Sequence, residues 1–275
     1  MEAVQLGPVL VNWSLLSLLL SAAAGYMAAF VIMRWSGRKD SSLLDVLLNG
    51  MIFGLLAWKL TPLLTQPKLL WQAPLKAVMM PSGETGIWIG CIVAGIYTLV
   101  RAFRGGISLR LLVDLLAYGT IVSLAVRSLL NGWQYGAQTD LPWGISLHDP
   151  AYAYHPLNVY QLLFAAMFAL IFLFRRMKPG EGWAGKVLLW LGGAGGFALT
   201  MVGAGESVSF IFTNRQWLCL LAMAVGLILP RLYILWESQL ERSLLSHGKN
   251  GFESAEKASE GEQAARKESD NERQL

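Results

Sequence analysis

Seven stretches of this chain are apolar over enough residues to cross a bilayer, and they limit its fold more than any motif does. A bilayer core takes about 20 apolar residues of helix. The stretches fall at residues 11–33, 43–64, 86–100, 110–130, 159–174, 187–205 and 216–235. Only 15% of the residues are charged and 55% are hydrophobic, whereas a soluble domain carries roughly 25% charged residues. The expected fold class is all-α: a polytopic membrane protein with seven transmembrane helices. The first apolar run is too long, and its start too poor in basic residues, for a cleaved signal peptide.

The loops alternate in sign. Arg34, Arg38, Lys39, Arg101, Arg104, Arg110, Arg175, Arg176, Lys178, Lys186 and Arg231 fall on one side, and Lys68, Lys76 and Arg215 on the other. Eleven against three predicts the N-terminus outside and the C-terminus in the cytoplasm. Residues 1–236 then form a membrane domain with an extracytoplasmic loop at 131–158. Residues 237–275 form a polar cytoplasmic tail with nine acidic and six basic residues. The chain is expected to form a short helix from Pro230 to about Ser246 and to be disordered beyond. Outside the tail the basic residues fall mainly in short loops, which speaks for orientation in a membrane, not for nucleic acid. Cys91 and Cys219 lie in apolar runs, there is no CxxC pair, and the three histidines are scattered. No metal and no cofactor are expected.

Five ionisable residues fall within or at the edges of spans: Asp45, Lys59, Asp114, Arg127 and Glu206. Such residues are costly in hydrocarbon and face a bundle interior or a polar cavity by default. Asp45 and Asp114 fall near the cytoplasmic ends of their helices, Lys59 and Arg127 toward the outer leaflet. The two cations could line an outward cavity with Glu84, Glu206 and His155 at its mouth, which would suit an anionic phospholipid head group. Snorkelling to the interface is the alternative. The glycines of "LGGAGGFALTMVGAG" (191–205) predict close helix packing, with a mobile gate as the second reading.

The outer stretch "NGWQYGAQTDLPWG" (131–144) has no Lys or Arg, and it is followed by "YHPLNVYQ" (154–161). His155 could serve as a general base or hydrogen-bond donor at head-group level, or start a helix with Pro156. Tyr152, Tyr154, Tyr160, Trp133 and Trp143 could form an interfacial aromatic girdle.

Together these two stretches resemble the prolipoprotein diacylglyceryl transferase family of bacterial inner-membrane enzymes. That family reads G-R-x-G-N-F-x-N-G-E-x-x-G, often with T-D-L-P-W-G behind it, then H-P-x-Q-L-Y-E. Asn131, Gly132 and Gly136 match the first pattern, the run from Thr139 to Gly144 its extension, and His155, Pro156 and Tyr160 the second. The looser likeness covers residues 7–236. It implies transfer of the diacylglyceryl group of phosphatidylglycerol to the thiol of a lipobox cysteine, with release of glycerol phosphate. The implied partners are that anionic phospholipid and a lipoprotein precursor or another membrane protein. The implied catalytic candidates are His155 and Glu84. Arg127, Lys59, Asn131 and Tyr160 are the head-group candidates, while Gly132, Gly136, Trp143 and Pro156 would shape the loop.

This chain departs from the pattern at its charged positions. The family's motif arginine falls on Ala125, its asparagine on Ser128 and the following acid on Trp133. Its histidine falls on Glu84, an early arginine on Ile52, a late arginine on Gly196, and the acid of the H-P motif on Gln161. Three readings follow: a divergent transferase using His155, Glu84 and Arg127; a non-catalytic relative that binds lipid or lipoprotein; or a membrane component with another small substrate.

Overall fold

A computed structural model describes residues 3–6, 9–37, 41–68, 82–147, 151–175, 178–203 and 212–242. Glu206 and residues 243–275 lie outside the described residues, as does the side chain of Glu84. Among the described residues, seven helices are long and apolar enough to cross a membrane. They are α1 Trp13–Trp35, α2 Ser41–Thr65, α3 Gly83–Arg104, α4 Leu109–Leu130, α5 Leu157–Phe174, α6 Trp183–Met201 and α7 Asn214–Arg242. The protein is therefore a polytopic, seven-helix membrane protein.

Two helix boundaries differ from the sequence expectation in an instructive way. Helix α6 starts four residues before the expected 187, because its first turn is capped from another helix. Helix α7 runs unbroken through Pro230 to Arg242, where the sequence suggested a separate helix starting at that proline. A proline removes one intrahelical bond and crowds the carbonyl four residues before it, yet a long apolar helix tolerates this. Pro62 is likewise internal to α2. The chain divides into two compact units, Met1–Arg231 and Leu232–Leu275; the described part of the second is helical.

Within the first unit the most extensive contacts join α2 to α3 and α1 to α4. Glycines set both distances. A Cβ on Gly54 would sit 2.9 Å from the Cβ of Ala94 and 3.0 Å from the carbonyl of Gly90, and one on Gly90 would sit 2.7 Å from the carbonyl of Gly54. Between α1 and α4, a Cβ on Gly25 would meet Ser123 and the Gly119 carbonyl, and Ser123 Oγ donates to Ser21 O at 2.8 Å. Close backbone approach of this kind drives helix association where no hydrophobic effect separates helix from lipid. The α6 glycines serve the same end: a Cβ on Gly193 would lie 2.7 Å from Cys219 O on α7, and one on Gly195 would strike the Phe164 ring on α5. Close packing, the first of the two readings of that stretch, is what these glycines do.

Helix α4 is the hub, touching α1, α5 and α6. Its Tyr118 meets Phe172 of α5 edge to face at 4.9 Å, and within α5 Phe164 meets Phe168 edge to face at 4.9 Å. Asp114, fully buried, reaches from α4 to the start of α6. Its Oδ2 accepts from the N–H groups of Gly180 and Gly182 at 2.9 and 2.8 Å, and its Oδ1 from Gly185 at 3.1 Å. The first turn of a helix leaves such donors unpaired, and Gly182, at the N-cap with φ 75°, has no side chain to satisfy them. The costly carboxylate of the fourth span is thus a cap supplied by a neighbouring helix.

Two small sheets join the bundle. Strands β1 (Ala3–Leu6) and β2 (Val9–Asn12) form an antiparallel hairpin. Strands β3 (Tyr135–Gln138), β4 (Ile145–Ser146) and β5 (Ala153–Pro156) form an antiparallel sheet in the order β3-β5-β4. The aromatic stretch read as loop is therefore partly sheet.

Candidate lipid-binding site

The three-stranded sheet closes one end of the bundle. Asn131 is the C-cap of α4, and its Oδ1 accepts from Ser17 Oγ of α1 at 2.7 Å. Trp13 Nε1 donates to Leu130 O at 2.9 Å, a second tie between α1 and α4. Gly132 then turns the chain with φ 65°, a conformation that L side chains rarely adopt. At Gly136 a Cβ would strike Val202 O and lie 3.2 Å from the Cβ of His155. The missing side chain lets Ala137 N–H reach Val202 O at 2.8 Å, joining the sheet to the end of α6. Leu157 N–H donates to Gln134 O at 2.8 Å, fixing the entry of α5. Pro156 is the last residue of β5 and the N-cap of α5.

His155, Tyr160 and Trp143 form one chain of contacts. Trp143 Nε1 lies 2.9 Å from Tyr160 Oη, and Tyr160 Oη lies 2.9 Å from His155 Nδ1. An indole N–H only donates, so the phenol oxygen accepts from Trp143, and it can accept from or donate to His155 Nδ1 according to the imidazole tautomer. The two contacts hold the imidazole in one place at the sheet.

Below the sheet, between α4, α5, α6 and α7, lies a cavity of about 740 Å³. This is within the roughly 300–1,000 Å³ range of small-ligand sites. Leu124, Leu157, Phe164, Leu188 and Leu199 give it apolar walls, while Gln161, Thr213, Arg215 and Gln216 bring polar groups to it. Ser128 Oγ donates to Leu124 O at 2.8 Å and lies 3.3 Å from Gln161 Oε1. Thr213 and Gln216 cap α7 reciprocally: Thr213 N–H donates to Gln216 Oε1 at 2.9 Å, and Gln216 N–H to Thr213 Oγ1 at 3.3 Å. This is a capping box. It presents the positive end of α7 and the guanidinium of Arg215 to one cavity, a combination suited to a phosphate. A second cavity of about 510 Å³ lies between the α1–α4 and α2–α3 pairs, with Tyr26, Thr98, Thr120 and Ser123 as its hydroxyls and no charged residue in its lining.

The structure sorts the sequence candidates. Tyr160 and His155 meet, with Trp143, at the sheet, and none of the three is in the lining of the α4–α7 cavity. Asn131, expected at a head group, is held in the α1–α4 joint. Arg127 lies half-buried in the last turn of α4 and is not in the lining of the α4–α7 cavity. Lys59 is not in that lining either; its Nζ sits 5.8 Å from the Trp58 ring centroid. Gln161 and Gly196, at which the resemblance would expect charged residues, both line the cavity. Sequence reading overlooked Arg215, which it counted only toward orientation. The signal was present in "TNRQ" (213–216), a Thr followed three residues later by Gln just before an apolar run.

Comparison with known proteins agrees with this architecture. The family model described as prolipoprotein diacylglyceryl transferase matches residues 2–232. The phosphatidylglycerol–prolipoprotein diacylglyceryl transferase of Paenarthrobacter aurescens is 27% identical over 260 residues, covering 83% of this chain and 81% of the relative. The proteins of the same name from Streptomyces griseus and Rhodococcus jostii are 29% and 25% identical. Each of these two matches spans 54% of this chain and half the length of the relative. With seven spans and bacterial relatives, the protein is a multi-pass protein of the bacterial cytoplasmic membrane. By the match over nearly its whole length, the chain belongs to the prolipoprotein diacylglyceryl transferase family.

Proposed function

We propose that this protein binds phosphatidylglycerol in the α4–α7 cavity and transfers its diacylglyceryl group to the cysteine thiol of a lipoprotein precursor. The observation that carries the reading is one cavity with apolar walls and Arg215 beside the capped start of α7. The lipid phosphate sits at Arg215, and the acyl chains run along Leu124, Phe164 and Leu188. Tyr160 and Trp143 fix His155 at the sheet, outside the cavity lining. In the transfer, the sulfur–carbon bond forms as the carbon–oxygen bond to phosphate breaks. Glycerol phosphate departs and carries off the thiol proton. A permanent cation at the phosphate stabilises the charge of this leaving group.

A second reading is lipid binding without transfer. The observation favouring it is the neutrality of Gln161 and Gly196 at cavity positions where the family carries charge. One experiment separates the two. The protein is expressed in a strain depleted of its own diacylglyceryl transferase, and the purified protein is assayed for bound lipid by native mass spectrometry. Rescue of growth supports transfer. Bound phosphatidylglycerol without rescue selects the second reading, and absence of both overturns the cavity assignment.

A further inference from the structure

At the end of the bundle opposite the sheet, a polar pocket of about 240 Å³ lies between the start of α2 and the end of α3, lined by Ser42, Asp45, Asn49, Arg101 and Arg104. We propose that this pocket is a second phosphate site, which holds the glycerophosphate head group of an anionic phospholipid in the leaflet at that end. It lies outside the α4–α7 cavity and does not rest on the transferase reading.

Four observations carry the inference. First, two guanidiniums and one carboxylate share the pocket, which leaves one net positive charge. Asp45, Arg101 and Arg104 are all exposed, and an exposed ion pair is weak, so Asp45 does not cancel the pocket's attraction for an anion. Second, the arginines are not consumed in capping α3. The carbonyls of Arg101, Ala102 and Phe103 already accept from the N–H groups of Gly105, Ile107 and Gly106, at 2.9, 2.9 and 3.2 Å. Third, Arg101 and Arg104 are three residues apart on one helix and so share a face. Two planar guanidiniums side by side match the oxygens of one phosphate. Asn49 and Ser42 add donors for the glycerol hydroxyls. Fourth, the pocket sits where two spans end, and Leu48, Val100 and Phe103 expose apolar surface beside it. Acyl chains lying on that surface bring the phosphate to the arginines, so the source of the phosphate is a lipid.

The test uses the full chain with the substitution Arg215→Gln, so that the outer cavity contributes least. Native mass spectrometry compares retention of phosphatidylglycerol and phosphatidylcholine, with soluble glycerol phosphate as a competitor. The double substitution Arg101→Gln/Arg104→Gln should reduce the preference for phosphatidylglycerol about tenfold or more, because each charge-assisted hydrogen bond is worth about a factor of ten. Arg101→Lys/Arg104→Lys should keep part of it. Asp45→Asn should strengthen retention, since it removes the opposing carboxylate; a cation site or a purely structural pair would move the other way. A monodisperse elution peak confirms that each variant is folded. Unchanged lipid preference in the glutamine double variant, or weaker retention in Asp45→Asn, overturns the site. Displacement of the lipid by soluble glycerol phosphate at equal concentration assigns the pocket to a soluble ester and overturns the lipid source.

Discussion

Individual residues in this protein divide between holding the bundle together and lining the α4–α7 cavity, and their neighbours decide which. Asp114 satisfies three backbone N–H groups that nothing on α6 itself caps. Asp114→Asn keeps the volume but turns one acceptor into a donor facing N–H groups. It should destabilise the fold by about 1–3 kcal/mol, the cost of leaving a buried donor unpaired, seen as a lower unfolding midpoint in mild detergent. An unchanged midpoint would mean that the cap is dispensable. Arg215 belongs to the other class. Arg215→Gln should weaken phosphatidylglycerol retention about tenfold while leaving a zwitterionic lipid nearly unaffected. Arg127→Gln, outside the cavity lining, should change retention by less than about twofold, the scale of an exposed charge. Equal losses in both variants would return Arg127 to the site.

At the scale of elements, backbone bonds tie the sheet to the end of α6 and the start of α5. Gly136→Val should push β3 off Val202, where even a Cβ would clash, and loosen the end of α6, whose Met201 lines the α4–α7 cavity. Cys219 lines that cavity and reports on it: in a chain with Cys91 replaced by serine, its alkylation by a small maleimide should speed up severalfold in Gly136→Val and slow when phosphatidylglycerol is added. A rate indifferent to both would detach the sheet from the cavity. The helices themselves were legible in the sequence, because a span of about 20 apolar residues is a strong, local signal. The sheet was not. Strands of two to four residues are too short to show alternation, and β5 pairs with β3 across the turn region of β4, a non-local pairing that no window of sequence reveals. The loop motifs named the residues around His155 and Tyr160. Arg215 escaped because a lone arginine before a span looks the same whether it meets lipid head groups in bulk or lines a cavity.

For the whole molecule, orientation decides which leaflet supplies the α4–α7 cavity. The N-terminal end of α1 and the C-terminal end of α4 meet at Asn131, so the sheet and the cavity mouth share one side of the membrane. The Asp114 cap and the residues from Lys178 to Gly185 take the other. The excess of Lys and Arg in short loops, eleven against three, argues that the sheet faces outward. Reporter sites follow from the structure. Leu141 and Lys178, both exposed, mark the two sides. In a background with Cys91 and Cys219 replaced by serine, an impermeant maleimide added to right-side-out vesicles should label Leu141→Cys at once. Lys178→Cys should react only after permeabilisation. The reverse pattern would place the cavity on the cytoplasmic leaflet, and with it any lipid it takes, where a secreted precursor's cysteine would not meet it.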